Sequence, residues 1–172
     1  MRRPHDNTYW VEPGRFLAGE YPGAWNDRDA GIRLAAYLDC GVSDFLDLTF
    51  PEELQPYDHL LTGLAQDRMM ETSYRRIPVV DMDVPDKPTI MNTILDHIDA
   101  VIEKGGIVYL HCWGGIGRTG TTVGCYLVRQ GLSGQDALDR LARLWPSMAK
   151  SDRYPMTPQT YEQTAYIRKW GK

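Results

Sequence analysis

One stretch limits this chain more than any other: Ile107-Val-Tyr-Leu-His-Cys-Trp-Gly-Gly-Ile-Gly-Arg-Thr-Gly120. Ile107 to Leu110 is an apolar run that reads as a short buried strand. Gly114, Gly115 and Gly117 then make a tight loop, and a helix is expected from about Arg118 to Gln130, closed by Gly131. Val123, Tyr126 and Leu127 give that helix its apolar spacing, although Thr121, Thr122 and Gly124 are poor helix formers. Cys112 falls where the strand ends, and Arg118 falls six residues later, where the helix begins.

That spacing has a chemical meaning. A glycine-rich loop can curl until its amide N–H groups point inward. At a helix N-terminus such a ring attracts an anion, because unpaired donors and the positive end of the dipole coincide. Arg118 adds a planar fork suited to two phosphate oxygens. The same field acts on Cys112: a free thiol has a pKa of about 8.5, and helix N-termini and nearby cations lower it to about 3.5–7.5. One cup would then hold both a nucleophile and a phosphorus oxyanion. A nucleotide-binding P-loop is disfavoured, since its Lys-Ser/Thr pair is missing.

His111-Cys112-Trp113-Gly114-Gly115-Ile116-Gly117-Arg118-Thr119-Gly120 resembles the His-Cys-x-x-Gly-x-Gly-Arg-Thr-Gly signature of the cysteine-dependent protein tyrosine and dual-specificity phosphatases. The resemblance implies that Cys112 is the nucleophile and that Trp113, Gly114, Gly115, Ile116, Gly117 and Arg118 surround the phosphate. It implies that the Thr119 hydroxyl donates to the thiolate and that His111 steadies the loop backbone. Trp113 is left with two readings, packing under the loop or walling the pocket.

Removing phosphate from an ester also needs an acid for the departing oxygen, worth about 10²–10⁴-fold. Asp81-Met-Asp-Val-Pro-Asp86 offers three carboxylates in a proline-punctuated loop, and spacing alone does not choose among them. Ile77 to Pro85 resembles the family's apolar-Pro-apolar-x-Asp-x-x-Val-Pro acid loop, which puts the acid on Asp81, with Asp83 as runner-up. A third match is Gln159-Thr-Tyr-Glu-Gln163, similar to the Gln-Thr-x-x-Gln stretch in which a glutamine orients water. Gln159 is expected to position water and Gln163 to help, both on one face of a helix starting at Thr157 or Pro158 and ending at Trp170.

The rest of the chain alternates strand and helix. Opening strands span Tyr9 to Tyr21, with a turn at Pro13-Gly14. Helices are expected over Asp29–Leu38 (apolar face Ile32, Leu34, Ala35 and Leu38), Tyr57–Gln66, Pro88–Lys104 and from the capping box at Ser133-Gly-Gln-Asp136. Strands are expected over Val42–Thr49 and Tyr74–Val80, with a loop carrying Glu52 and Glu53 between Phe50 and Tyr57. Trp10 and Trp25 read as packing residues. This pattern predicts an α/β fold, and the resemblance implies its form: a central mixed, mostly parallel sheet of four to five strands flanked by helices on both faces. A single phosphatase domain over 1–172 is expected, with N-terminal strands and helix in 1–41 and the catalytic core in 42–170.

Composition excludes other classes. A length of 172 residues suits one domain. A net charge of −4, from 19 basic and 23 acidic residues, implies no broad nucleic-acid surface. No apolar run reaches membrane length, and Met-Arg-Arg-Pro-His-Asp lacks a signal-peptide core. Cys40, Cys112 and Cys125 are no disulfide framework. A reactive thiolate needs a reducing compartment, so a cytoplasmic location is expected. Cys40 and Cys125 read as core thiols or as redox guards of Cys112. No metal site and no cofactor are expected.

Three functions fit: a tyrosine or dual-specificity phosphoprotein phosphatase, a phosphatase for a small or lipid (inositol) phosphate monoester, or a phosphate-binding module without catalysis. The first is preferred. The chain resembles the compact dual-specificity group, and its cup carries no lysine.

Overall fold

The computed structural model describes residues 1–171; Lys172, the end of the expected domain, lies outside the described residues. In chain order the elements are β1 (Thr8–Glu12), β2 (Phe16–Gly19), α1 (Asp27–Asp39), β3 (Asp44–Asp47), α2 (Asp58–Gln66), β4 (Ser73–Arg76), α3 (Pro88–Glu103), β5 (Val108–His111), α4 (Gly117–Arg129), α5 (Gly134–Leu144) and α6 (Tyr161–Lys169). The strands form one sheet in the order β1-β2-β5-β3-β4, with β1 antiparallel to β2 and every other pair parallel. This is the mixed, mostly parallel sheet that the resemblance implies, within the α/β class that the alternation of strand and helix predicts.

Because side chains alternate across a strand, each strand feeds two cores. In β5, Val108 and Leu110 join Phe16, Ala18 and Leu46 beneath α3, α4, α5 and α6. Tyr109 joins Leu17 and Phe45 beneath α1 and α2 on the other face. A fully buried aliphatic or aromatic side chain contributes roughly 1.5–3 kcal/mol, so these layers anchor β5 at the centre of the sheet. With both faces covered, β3 is buried throughout, including Asp44 and Asp47. The polar positions in Val42–Thr49 therefore do not mark a solvent face.

Several boundaries differ from expectation. In α1 the buried face is Ala30, Leu34, Tyr37 and Leu38; Ile32 is exposed and Ala35 only half-buried. β4 stops at Arg76, ahead of Pro78, whose missing N–H cannot extend a ladder. Trp10 is buried, but Trp25 is 93% exposed, which overturns its packing role. α6 starts at Tyr161, later than expected. Thr160 caps it by accepting from the Gln163 amide, and the Gln163 side chain accepts in return from the Thr160 amide. Gln159 thus precedes the helix and shares no helical face with Gln163.

α4 holds despite its sequence because its first three turns are buried. Its threonines fold back, Thr121 onto the Gly117 carbonyl at 2.9 Å and Thr122 onto the Arg118 carbonyl at 3.0 Å. Its glycines admit neighbours: a Cβ on Gly124 would lie 2.3 Å from Ile167 of α6, and one on Gly120 would lie 2.2 Å from the Thr157 hydroxyl. The segment bearing Gln159 can therefore sit directly against the start of α4.

Candidate active site

β5 ends at His111 and hands the chain to the loop of Cys112 to Ile116, which opens α4. Gly115 has φ +73°, and a Cβ there would come within 2.5 Å of the Gly19 carbonyl, so only glycine fits. The loop carbonyls are held from outside. Tyr21 N–H donates to Trp113 O at 2.9 Å. Lys150 Nζ donates to Gly114 O at 2.8 Å, and Thr157 Oγ1 donates to Ile116 O at 2.7 Å. In a trans peptide the next N–H points opposite to the carbonyl. Turning these carbonyls outward therefore turns the amides of Gly114, Gly115 and Gly117 inward. Among the described residues, no amide from Gly114 to Arg118 donates to another protein atom. The result is an inward nest of donors at a helix start that has no side-chain cap.

Cys112 lies in this nest, 3% exposed, and Thr119 Oγ1 donates to its sulfur at 3.1 Å. His111 is fully buried. Its Nδ1 lies 3.1 Å from Cys112 O, which can only accept, so that nitrogen carries the proton and Nε2 accepts from the Tyr57 hydroxyl at 2.6 Å. Burial pushes the His111 pKa below its ordinary value, outweighing the pull of Asp47 and the Cys112 carbonyl. The neutral ring thus pins the fourth loop carbonyl.

Arg118 is 1% exposed and heavily engaged. Its two Nη atoms donate to the two Glu53 carboxylate oxygens, each at 2.8 Å. Nη1 also reaches Val79 O at 3.1 Å, and Nη2 lies 3.1 Å from Asp81 Oδ1. Although burial opposes the charge on Glu53, the Arg118 fork and the Phe50 amide hold its carboxyl below the ordinary range. Arg118 Nε is buried without a partner. Of the edge formed by Nε and Nη2, Nε is thus left without an acceptor among the described residues, and Asp81 rests at its Nη2 end.

The acid loop is turned toward the cup. Asp81, Cys112, Trp113, Lys150 and Gln159 line one cleft of about 380 Å³. Asp83 does not reach it: its carboxylate accepts from the Val84 amide at 2.8 Å, and its carbonyl accepts from Gln163 Nε2 at 3.0 Å. Between them, Met82 has φ +61°, a left-handed conformation costing a non-glycine residue about 1–2 kcal/mol. Gln163 is fully buried and spends its carbonyl on the Gln159 and Thr160 amides, so it braces the acid loop and the Gln159 segment without entering the cleft. Trp113 is 58% exposed, which makes it a wall of the pocket.

Two participants escape the sequence reading. Glu53 stands 65 residues before the arginine it grips, and Lys150 stands 36 residues after the glycine carbonyl it holds. Lys150 also pairs with Glu20 Oε2 at 2.6 Å. Only their acidic and basic character inside loops signals them. Cys40 and Cys125 are free thiols, both pushed upward in pKa by burial. Among the described residues no three His, Cys, Asp or Glu side chains converge as a metal site, and no helix is long and apolar enough to cross a membrane.

A family model described as PTP-SAK, Swiss Army Knife protein, DSP-PTPase phosphatase domain, matches residues 5–166. The chain belongs to this family. Beyond PTP-SAK, it is 41% identical to Dual specificity protein phosphatase 1-A of Xenopus laevis over 56 residues, which is 33% of this chain and 15% of that protein. It is 27% identical to Dual specificity protein phosphatase CDC14B of Mus musculus over 128 residues, 70% of this chain and 24% of that protein. The PTP-SAK chain therefore spans a small part of these relatives. Among solved structures, Tk-PTP in its active form superposes with a TM-score of 0.73 at 21% identity, covering 95% of both chains. PTPMT1 in complex with PI(5)P gives 0.70 at 18%, covering 95% and 94%. TpbA of P. aeruginosa in complex with pTyr gives 0.67 at 19%, covering 99% and 88%. These likenesses show the fold.

Proposed function

We propose that this PTP-SAK chain is a phosphoprotein phosphatase of the tyrosine or dual-specificity kind, working through a phosphocysteine. The observation that carries this reading is convergence: Cys112, the loop residues Gly114, Ile116 and Gly117, and Asp81, which rests on Nη2 of the buried Arg118, line one cleft. A phosphate monoester enters the nest and takes the Nε and Nη2 donors. The Cys112 thiolate attacks phosphorus, a P–S bond forms, and the P–O bond breaks. Asp81, displaced from Arg118 by the incoming phosphate, gives its proton to the leaving oxygen. Water, positioned by Gln159 and deprotonated by the Asp81 carboxylate, then attacks phosphorus. The P–S bond breaks, Thr119 steadies the departing thiolate, and inorganic phosphate leaves.

The charge around the cleft favours a single phosphate. Lys150 is already committed to Glu20 and to the Gly114 carbonyl, while Asp81 faces the same space. A head group bearing several phosphates would meet more carboxylate than free cation. TpbA solved with pTyr and PTPMT1 solved with PI(5)P share this fold, so the fold alone does not choose between their ligands. We also place the protein in the cytoplasm as one phosphatase domain, because a reactive thiolate needs reducing surroundings.

The test compares reduced protein on phosphotyrosine peptides, phosphoserine peptides and inositol phosphates, with a generic aryl phosphate as reference. Phosphopeptide turnover well above inositol phosphate turnover is expected, and a protein adduct of one phosphoryl group on Cys112 should appear by mass spectrometry after acid quench. Cys112→Ser should abolish turnover while still binding phosphate. A preference for inositol phosphates would favour the lipid or small-molecule alternative. Binding without any turnover of the aryl phosphate would favour a non-catalytic module.

A further inference from the structure

Beside the catalytic cleft lies a second one of about 520 Å³, and the two share Trp113 as a common wall. Its aromatic surfaces are Tyr21, Trp25 and Trp113. Its walls are tied together: the Tyr21 hydroxyl donates to Gln55 O across the cleft, and Arg33 Nη1 donates to Gly23 O at 3.1 Å. Trp25 at 93% and Trp113 at 58% exposure are unusual for the largest apolar side chains, and two such residues lining one hollow mark a surface made for contact.

Among the described residues, one carboxylate of this cleft is without a partner. Arg33 is held by Glu20 at 3.1 Å, a carboxylate it shares with Lys150, and by the Gly23 carbonyl, its Nε remaining buried and unpartnered, and Glu53 is spent on Arg118. Glu52 is exposed and, among the described residues, has no hydrogen-bonding or ionic partner closer than 4 Å. A hollow with aromatic walls and one free carboxylate complements a long cationic side chain. The methylenes of such a chain cover the rings, its cation lies over an aromatic face, and its charge meets Glu52.

We infer that this second cleft is a specificity subsite for an arginine or lysine lying one to three residues from the phosphorylated residue of a peptide substrate. The inference rests on the phosphoprotein reading and makes it narrower: basic flanking residues are selected and acidic ones rejected. Continuity through Trp113 carries the geometry, since a chain leaving the cup past that indole enters the aromatic hollow directly.

Three phosphopeptides identical except for Arg, Leu or Glu at the flanking positions test it, with kcat/KM measured alongside an aryl phosphate that fills only the cup. The wild-type chain should prefer the Arg peptide over the Glu peptide by about tenfold and over the Leu peptide by about threefold, the scale of one partly exposed cation–π contact plus one ion pair. Glu52→Gln should collapse the Arg-to-Glu ratio toward unity. Trp25→Ala should lower the Arg peptide about fivefold, and both variants should keep aryl phosphate turnover. Equal rates on all three peptides, a Leu preference, or parallel loss on the aryl phosphate would overturn the subsite alone. Aryl phosphate turnover with no cleavage of any peptide would instead overturn the phosphoprotein reading, and the subsite with it.

Discussion

Arg118 and Glu53 form a two-toothed clasp, Nη1 to Oε1 and Nη2 to Oε2, each at 2.8 Å, with the arginine side chain fully buried and the glutamate 20% exposed. The clasp decides which edge of the guanidinium faces a substrate. It also ties the loop after β3 to the start of α4. Glu53→Ala leaves a buried cation with only the Leu48, Val79 and Asp81 oxygens. Breaking a buried pair from one side costs about 3–5 kcal/mol; with Glu53 partly exposed, the lower end is expected. Urea unfolding should show that loss, and kcat/KM on an aryl phosphate should fall by more than tenfold. Glu53→Gln, which keeps one acceptor, should fall between the two proteins. A Glu53→Ala protein with unchanged activity and stability would show that the clasp orients nothing.

Lys150 acts on the cup from its rim. It holds the Gly114 carbonyl outward, and Thr157 does the same for the Ile116 carbonyl, which in the proposed mechanism aims the Gly115 and Gly117 N–H groups at the phosphate. Lys150→Met should therefore raise KM for an aryl phosphate and weaken inhibition by inorganic phosphate, each by about tenfold, the scale of one charge-assisted hydrogen bond, with kcat changed much less. Lys150→Arg should restore most of the affinity. A fall in kcat at constant KM would contradict this positioning role.

What the sequence makes legible is local. Cys112, the glycines and Arg118 lie within one strand–loop–helix, so their spacing puts them in one turn of chain, and the alternation of strand and helix gives the α/β class, while the form of the sheet comes from the resemblance. What it hides is either distant or double-edged. Nothing near Glu53 announces an arginine 65 positions on, and the Lys150 loop reads as ordinary surface. Gln163 resembles a catalytic helper, yet the same residue completes a capping box with Thr160, and the cap takes its side chain. Trp25 reads as core by type, while its loop holds it in solvent.

Asp81 and Asp83 are two residues apart and differ in reach. Asp81 lines the cup cleft and touches Arg118, while Asp83 bonds its own loop. Asp81→Asn should lower kcat by about 10²–10³-fold on a substrate with a poor leaving group, and much less on one whose leaving group needs no proton. Asp83→Asn should stay within about threefold of wild type, because its contribution to Gln163 comes from the backbone. The reverse ranking would move the acid to Asp83.

His111 makes stability depend on pH. Its neutral ring donates to Cys112 O, accepts from Tyr57 and is hemmed in by Asp47, Arg76 and Arg118, with burial the largest influence on its lowered pKa. An unfolded histidine titrates near about 6.5. Below that pH the unfolded chain binds a proton that the folded chain refuses, so stability rises with pH in this window and falls as the solution is acidified. His5, also lowered chiefly by burial, adds in the same direction. Glu53, held below its ordinary value by Arg118, extends the loss: its contribution is complete above the unfolded carboxyl value of about 4.3 and disappears as pH drops through its folded pKa. Thermal midpoints should accordingly be flat above pH 7, decline from about 6.5 to 5, and decline more steeply below about 4.5. His111→Gln should be less stable at pH 7.5 yet show a smaller decline between 6.5 and 5, whereas a decline equal to that of the wild-type chain would mean that the His111 ring does not titrate against burial.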